Sequence, residues 1–189
     1  MFKLKIAALI FLLSTSFVFA QKSVNITTGI DRDSLLTVAK EIIDSAQAKV
    51  LISVDEDGIP HARQMDPFAP EEDMVVWLAT NPNTRKVMQI KNNPNVAIFY
   101  YFPKRHAYVT MNGKAELVNN PEMKNKYWKS YWTRYYPNKE KDMILIKVIP
   151  QRLELISIRN KLFWKDNTFM PQFVELNPAK IAPIMLKPK

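Results

Sequence analysis

Between Thr80 and Lys86 the chain reads Thr-Asn-Pro-Asn-Thr-Arg-Lys, directly after the apolar run Trp77-Leu78-Ala79. That order predicts a buried strand entering a turn and then the start of a helix. Thr84 offers a hydroxyl, Arg85 a planar fork of donors and Lys86 a point charge. They stand beside the backbone N–H groups that a helix leaves unpaired in its first turn. The set suits a phosphate, because each charge-assisted hydrogen bond contributes about 1.5–3 kcal/mol and two or three fix an anion without a glycine loop. On chemistry alone, a plainer reading fits equally well: Arg85 and Lys86 as solvated residues of a surface helix.

The elements that position this turn follow from hydrophobic period. Asp33 reads as the N-cap of an amphipathic helix through Leu35, Leu36, Val38, Ala39, Ile42, Ile43 and Ala46. A strand over 50–54 meets Asp55-Glu56-Asp57-Gly58, a strong hairpin signal. Further strands are predicted over 59–65, 74–79, 96–102, 108–117, 143–149 and 153–158, with helices over 83–91 and 121–135. Strands in hairpin succession with helices only at the connections indicate a β protein with flanking helices (α+β), an antiparallel barrel of six to seven strands. The tail after Trp164, with Pro171, Pro178, Pro183 and Pro188, is expected to lie extended on the barrel.

Composition removes whole classes of function. With three glycines in 189 residues, neither a G-x-G-x-x-G dinucleotide loop nor a P-loop exists. With no cysteine and only His61 and His106, no Cys/His zinc site or disulfide can form, and the usual nucleophile pairs are missing. Lys3 and Lys5, the apolar run from Ile6 to Leu13 and the stretch ending at Ala20 read as a secretory signal peptide cleaved near Ala20. No twin arginine is present, so the reading is export of an unfolded chain to the periplasm or beyond, after which 21–30 forms a loose leader. Removing 1–20 leaves 169 residues with 25 basic against 18 acidic side chains, one domain with a bias toward anionic partners.

Other chemistry-bearing residues have ordinary readings. His61 and His106 fit hydrogen-bonded structural roles, and the acidic runs 55–57 and 71–73 fit solvated turns. No convincing acid–base pair is present. From Pro121 onward, Tyr127, Trp128, Tyr131, Trp132, Tyr135 and Tyr136 form two adjacent stripes at i, i+4 spacing with Lys124, Lys126, Lys129 and Arg134 between them. These stripes are assigned to packing on the barrel. A basic surface-binding face and a wall of the ligand pocket are the alternatives, although neither a nucleic-acid role nor stable membrane insertion is assigned.

The run 74–86, then Gln89-Ile90, Asn92-Asn93-Pro94-Asn95-Val96 and Gly113-Lys114-Ala115-Glu116, closely resembles the pyridoxamine 5'-phosphate oxidase-like family, and most of all its general-stress-protein branch, over about residues 32–160. The resemblance implies a split β-barrel domain over 31–160, a homodimer and flavin mononucleotide (FMN) bound at the subunit interface, with 161–189 as an extension packing on the barrel. It implies that Thr84, Arg85 and Lys86 hold the flavin phosphate. Arg63-Gln64-Met65 would match the family's ring-side strand element, while Thr80 and Asn81 would lie near the ribityl chain or ring edge.

Departures from the family pattern bear on the reaction. Phe68 stands where true pyridoxamine phosphate oxidases carry a lysine, and Tyr108 stands where they carry a glutamine near the flavin. Their C-terminal Arg-x-His substrate pair is missing after Trp164. Vitamin B6 oxidation is therefore not expected. Two functions lead: an FMN-dependent oxidoreductase acting on a small organic substrate, or a non-catalytic, stress-related module holding flavin or, through His61 or His106, haem. A basic surface-binding protein without cofactor is a third and weaker one.

Overall fold

The computed structural model describes residues 30–163 and 170–176. Helix α1 (Arg32–Ser45) buries Leu35, Ala39, Ile42 and Ile43 along one stripe. Its N-cap is Asp31, not Asp33, because the Asp31 carboxylate accepts from Ser34 N at 2.9 Å and leaves Asp33 in the first turn. Strands β1 (Ala48–Val54), β2 (Pro60–Gln64), β3 (Val76–Thr80), β4 (Asn95–Phe102), β5 (Ala107–Val118), β6 (Ile144–Ser157) and β7 (Gln172–Glu175) form one antiparallel sheet of seven strands. Its order is β2-β1-β4-β5-β6-β3, with β7 paired to the far half of β6. Helix α2 (Arg85–Asn92) follows β3, and α3 (Pro121–Lys126) and α4 (Lys139–Asp142) lie between β5 and β6.

The sheet curls into the expected half-open barrel, and its two edges, β2 and β3, are bridged by the segment after β2. Met65 N donates to Lys49 O at 2.9 Å on one side of the gap, and Phe68 N donates to Trp77 O at 2.9 Å on the other. Inside the curl lie Leu51, Val76, Leu78, Ile98, Tyr100, Val109, Met111, Ile146, Val148, Leu153 and Leu155, sealed by α1 and by Ile90 of α2. On the outer side of β3 and β6, Trp77, Ala79 and Leu145 form a second core beneath Tyr127 and Trp132.

Three further departures follow. The strands predicted over 143–149 and 153–158 are one strand, β6, bent where its register with β5 shifts at Asn112/Gly113 opposite Pro150. A Cβ on Gly113 would stand 2.3 Å from Ile149 O, so the bulge needs glycine. The helix predicted over 121–135 stops at Lys126, and a 3-10 turn spans Ser130–Arg134. Here Trp77 stacks on Tyr127 at 4.5 Å, and Phe68 meets Tyr127 and Trp132 edge-on, so aromatic packing overrides the helical period. Strand β7 was not anticipated. The expected signal peptide and leader up to 29 and the tail from 177 lie outside the described residues.

Candidate functional site

Alternation along β1 and β2 turns Leu51 and Ser53, with their cross-strand partners Arg63 and His61, toward the barrel interior. Thr80 ends β3 on the same side, and α2 begins five residues later. The curl therefore brings Arg63 on one sheet edge to the turn that leaves the other edge. Thr84, the N-cap of α2, makes no side-chain bond to the helix's first turn. Its hydroxyl donates to Asn81 O at 2.9 Å and lies 3.3 Å from Thr80 Oγ1. Asn81 shapes the turn by accepting Asn83 N at 2.9 Å. Lys86 Nζ reaches back to Thr80 Oγ1 at 3.0 Å.

Three cations meet here. Burial, and then the neighbouring Arg85, holds the Arg63 guanidinium below its ordinary value. Burial, and then Arg63, does the same to Lys86. Among the described residues no carboxylate lies within ion-pair distance of Arg63, Arg85 or Lys86. Instead Arg63 is fastened by neutral groups: Nη1 donates to Ser53 Oγ at 2.7 Å and Nη2 to Gln89 Oε1 at 3.0 Å. Clustered, partly desolvated like charges with no counter-ion form a site that an anion stabilises.

The anticipated residues divide into two groups. Arg63, Thr80, Thr84 and Lys86 come together, with Arg85 more exposed at the rim and Asn81 building the turn. Met65 packs against the interior core. Gln64 and Tyr108 lie on the opposite, outer face of the sheet, where Tyr108 packs against Phe99 at 5.6 Å. Ser53 and Gln89 were not anticipated, although Gln89 sits one helical turn beyond Lys86 and so shares its side of α2.

The histidines and the aromatic excursion are accounted for internally. His61 Nε2 contacts Asp55 Oδ2 at 2.7 Å, and the same carboxylate accepts Ile59 N at 2.8 Å, closing the hairpin turn. His106 takes a left-handed conformation at an exposed corner. Lys124, read from the sequence as part of a basic surface stripe, is buried and donates to Glu140 O at 2.7 Å. Lys129 pairs with Asp66 at 2.7 Å and lies over the Phe68 and Trp132 rings. Among the described residues there is no group of three or more metal-ligating side chains, and no helix long and apolar enough to cross a membrane.

A curled antiparallel sheet, split between two edges with a cluster of cations where they approach, defines a split-barrel protein. The chain belongs to the pyridoxamine 5'-phosphate oxidase-like family, whose profile matches residues 33–158. It is 29% identical over 125 residues to General stress protein 26 of Bacillus subtilis, a match covering 64% of this chain and 87% of that protein. The crystal structure of General Stress Protein 26 from Bacillus anthracis superposes with a TM-score of 0.59 at 27% identity, covering 75% of this chain and 98% of that one. A pyridoxamine 5'-phosphate oxidase-related, FMN binding protein from Nostoc punctiforme shares the fold with a TM-score of 0.56 at 16% identity, over 80% of this chain and all of that one.

Proposed function

We propose that this protein binds FMN and acts as a flavin-dependent oxidoreductase on a small organic substrate. The observation that carries the reading is the convergence of Arg63, Arg85 and Lys86 with no carboxylate in ion-pair reach among the described residues. The FMN-binding relative with the same fold supports the choice of ligand. In this reading Arg63, Thr84, Arg85 and Lys86 hold the phosphate, while Met65, Thr80 and Asn81 line the flavin.

Bound flavin supplies the hydride chemistry, and the protein supplies position and polarity, which accords with the lack of an acid–base pair in the cluster. Phe68, packed between Tyr127 and Trp132, gives an apolar wall where a pyridoxamine phosphate oxidase has a lysine, so vitamin B6 oxidation is not proposed. The outer sheet face, with half-exposed Phe99 and Tyr108 and the ion pair Arg152–Glu154, is assigned to a second copy. Export with cleavage near Ala20 completes the reading, and N-terminal sequencing of the protein recovered from cells tests that part.

A non-catalytic flavin-holding role is the second reading, supported by the neutrality of Ser53 and Gln89 beside the cations. Its haem version would have to use His106, at its exposed corner, because His61 Nε2 is taken by Asp55.

The decisive experiment is the visible spectrum of the purified mature chain before and after FMN is added. Binding in the micromolar range, bleaching by a reductant and reoxidation by an acceptor support the enzyme. Binding without turnover of any acceptor supports the second reading. Failure to bind FMN at that concentration removes both. Arg85→Ala with Lys86→Ala is expected to abolish binding while the barrel stays folded.

A further inference from the structure

Arg63, Ser53 and Gln89 form a closed hydrogen-bonded triangle drawn from β2, β1 and α2. Arg63 Nη1 donates to Ser53 Oγ at 2.7 Å and to Leu51 O at 3.3 Å, and Nη2 donates to Gln89 Oε1 at 3.0 Å. Ser53 Oγ in turn donates to Gln89 Oε1 at 2.7 Å. Ser53 is fully buried and Gln89 is 6% exposed, so both are fixed parts of the barrel and not mobile surface groups. A partly buried arginine fork is ordinarily met by a carboxylate, which matches its geometry and cancels its charge. An amide occupies that place here, with the shape of a carboxylate and none of its charge.

We propose that Gln89 and Ser53 are positioning residues for the anion site: they aim the Arg63 guanidinium through uncharged acceptors and so reserve its positive charge for a phosphate ligand. The proposal rests on the anion-site reading above. It gives a reason for Ser53 and Gln89 to be buried. A carboxylate at 89 would satisfy the same donors, and Arg63 would then be neutralised from within the protein. The charge that Arg85 and Lys86 place beside Arg63 would lose its third member.

The test is titration of the full mature chain with FMN and with riboflavin, which lacks the phosphate, followed by flavin fluorescence. Gln89→Glu and Gln89→Met are compared with the unmodified protein. Gln89→Glu, near-isosteric and able to keep every hydrogen bond, is expected to weaken FMN by at least about tenfold, the scale of one lost charge-assisted contact. Gln89→Met, which loosens Arg63 without neutralising it, is expected to weaken FMN less than Gln89→Glu does. Riboflavin affinity is expected to be unchanged in both.

A merely structural role predicts the reverse order, since glutamate keeps the bonds that methionine loses. That order, or equal losses for FMN and riboflavin, or Gln89→Glu binding FMN as the unmodified protein does, overturns the proposal. If Gln89→Glu does not fold, Ser53→Ala carries the test: selective weakening of FMN supports the proposal, and unchanged FMN affinity overturns it. Absence of FMN binding by the unmodified chain overturns the anion-site reading itself, a distinct outcome.

Discussion

The Lys86 ammonium donates to the Thr80 hydroxyl at 3.0 Å, tying the first turn of α2 to the end of β3. That single bond is a small return for placing a partly buried cation beside Arg63, which depresses its affinity for the proton. Lys86→Met is therefore expected to leave the thermal midpoint of the ligand-free protein level or raised, because burial and like-charge repulsion are relieved together. The same variant is expected to lose about 1.5–3 kcal/mol of FMN affinity, tenfold or more. Thermal unfolding with and without FMN checks both: saturating FMN at about 100 times its dissociation constant stabilises the unmodified protein by about 2.7 kcal/mol, and Lys86→Met by much less. A lowered ligand-free midpoint contradicts this account.

Tyr127 holds the outer core through its stack on Trp77 and its edge contact with Phe68. Tyr127→Ala is expected to destabilise the fold by about 3 kcal/mol or more through the cavity it leaves. Tyr127→Phe keeps the rings in place and removes only the hydroxyl's bond to Glu71, a loss of about 1 kcal/mol. Urea denaturation of the two variants separates packing from hydrogen bonding, and equal losses would show that the hydroxyl dominates.

The Asp55 carboxyl is held below its ordinary value first by the His61 hydrogen bond and then by Ile59 N. A depressed carboxyl stabilises the fold above its unfolded value of 3.8 and loses that contribution as pH falls through its lower folded value. Asp55→Asn should therefore unfold at a lower temperature than the unmodified protein near neutral pH. The gap should narrow below pH 3.8. A gap that persists unchanged in acid would assign the effect to the turn backbone, not to charge.

Gly113→Ala places a methyl group 2.3 Å from Ile149 O, in backbone that cannot retreat. The expected result is destabilisation of about 3 kcal/mol or more, far above what a glycine-to-alanine change costs in open space. Chemical denaturation measures it, and Gly58→Ala, at a positive φ of 81° with nothing near the new methyl, isolates backbone strain from steric overlap.

What the sequence disclosed depended on how local the determinants were. Thr80, Thr84, Arg85 and Lys86 sit within seven residues, so the turn could be recognised from residue types and spacing alone. Arg63 was reached only through family resemblance, because its approach to Lys86 depends on the sheet curling edge to edge. Ser53 was not singled out, and Gln89 entered only as part of the family pattern, because their roles depend on the register that sets Arg63 opposite Leu51 and on the facing of α2. Pro150 made β6 look like two strands: proline cannot donate to a ladder, yet a bulge accommodates it without ending the strand. The aromatic stripe from Tyr127 satisfied a helical period by composition, while packing on Phe68 and Trp77 set its actual path.

The pairing of Val76 with Val148 has a consequence for synthesis. β3 leaves the ribosome long before the strand it pairs with, and the ends of that long loop must be brought together before β3 gains a neighbour. Until then, the Thr80 turn has no fixed relation to Arg63, and the nascent chain has no assembled site to fill. Under the proposed function, the compartment in which β6 meets β3 is thus the one that must supply the phosphorylated ligand.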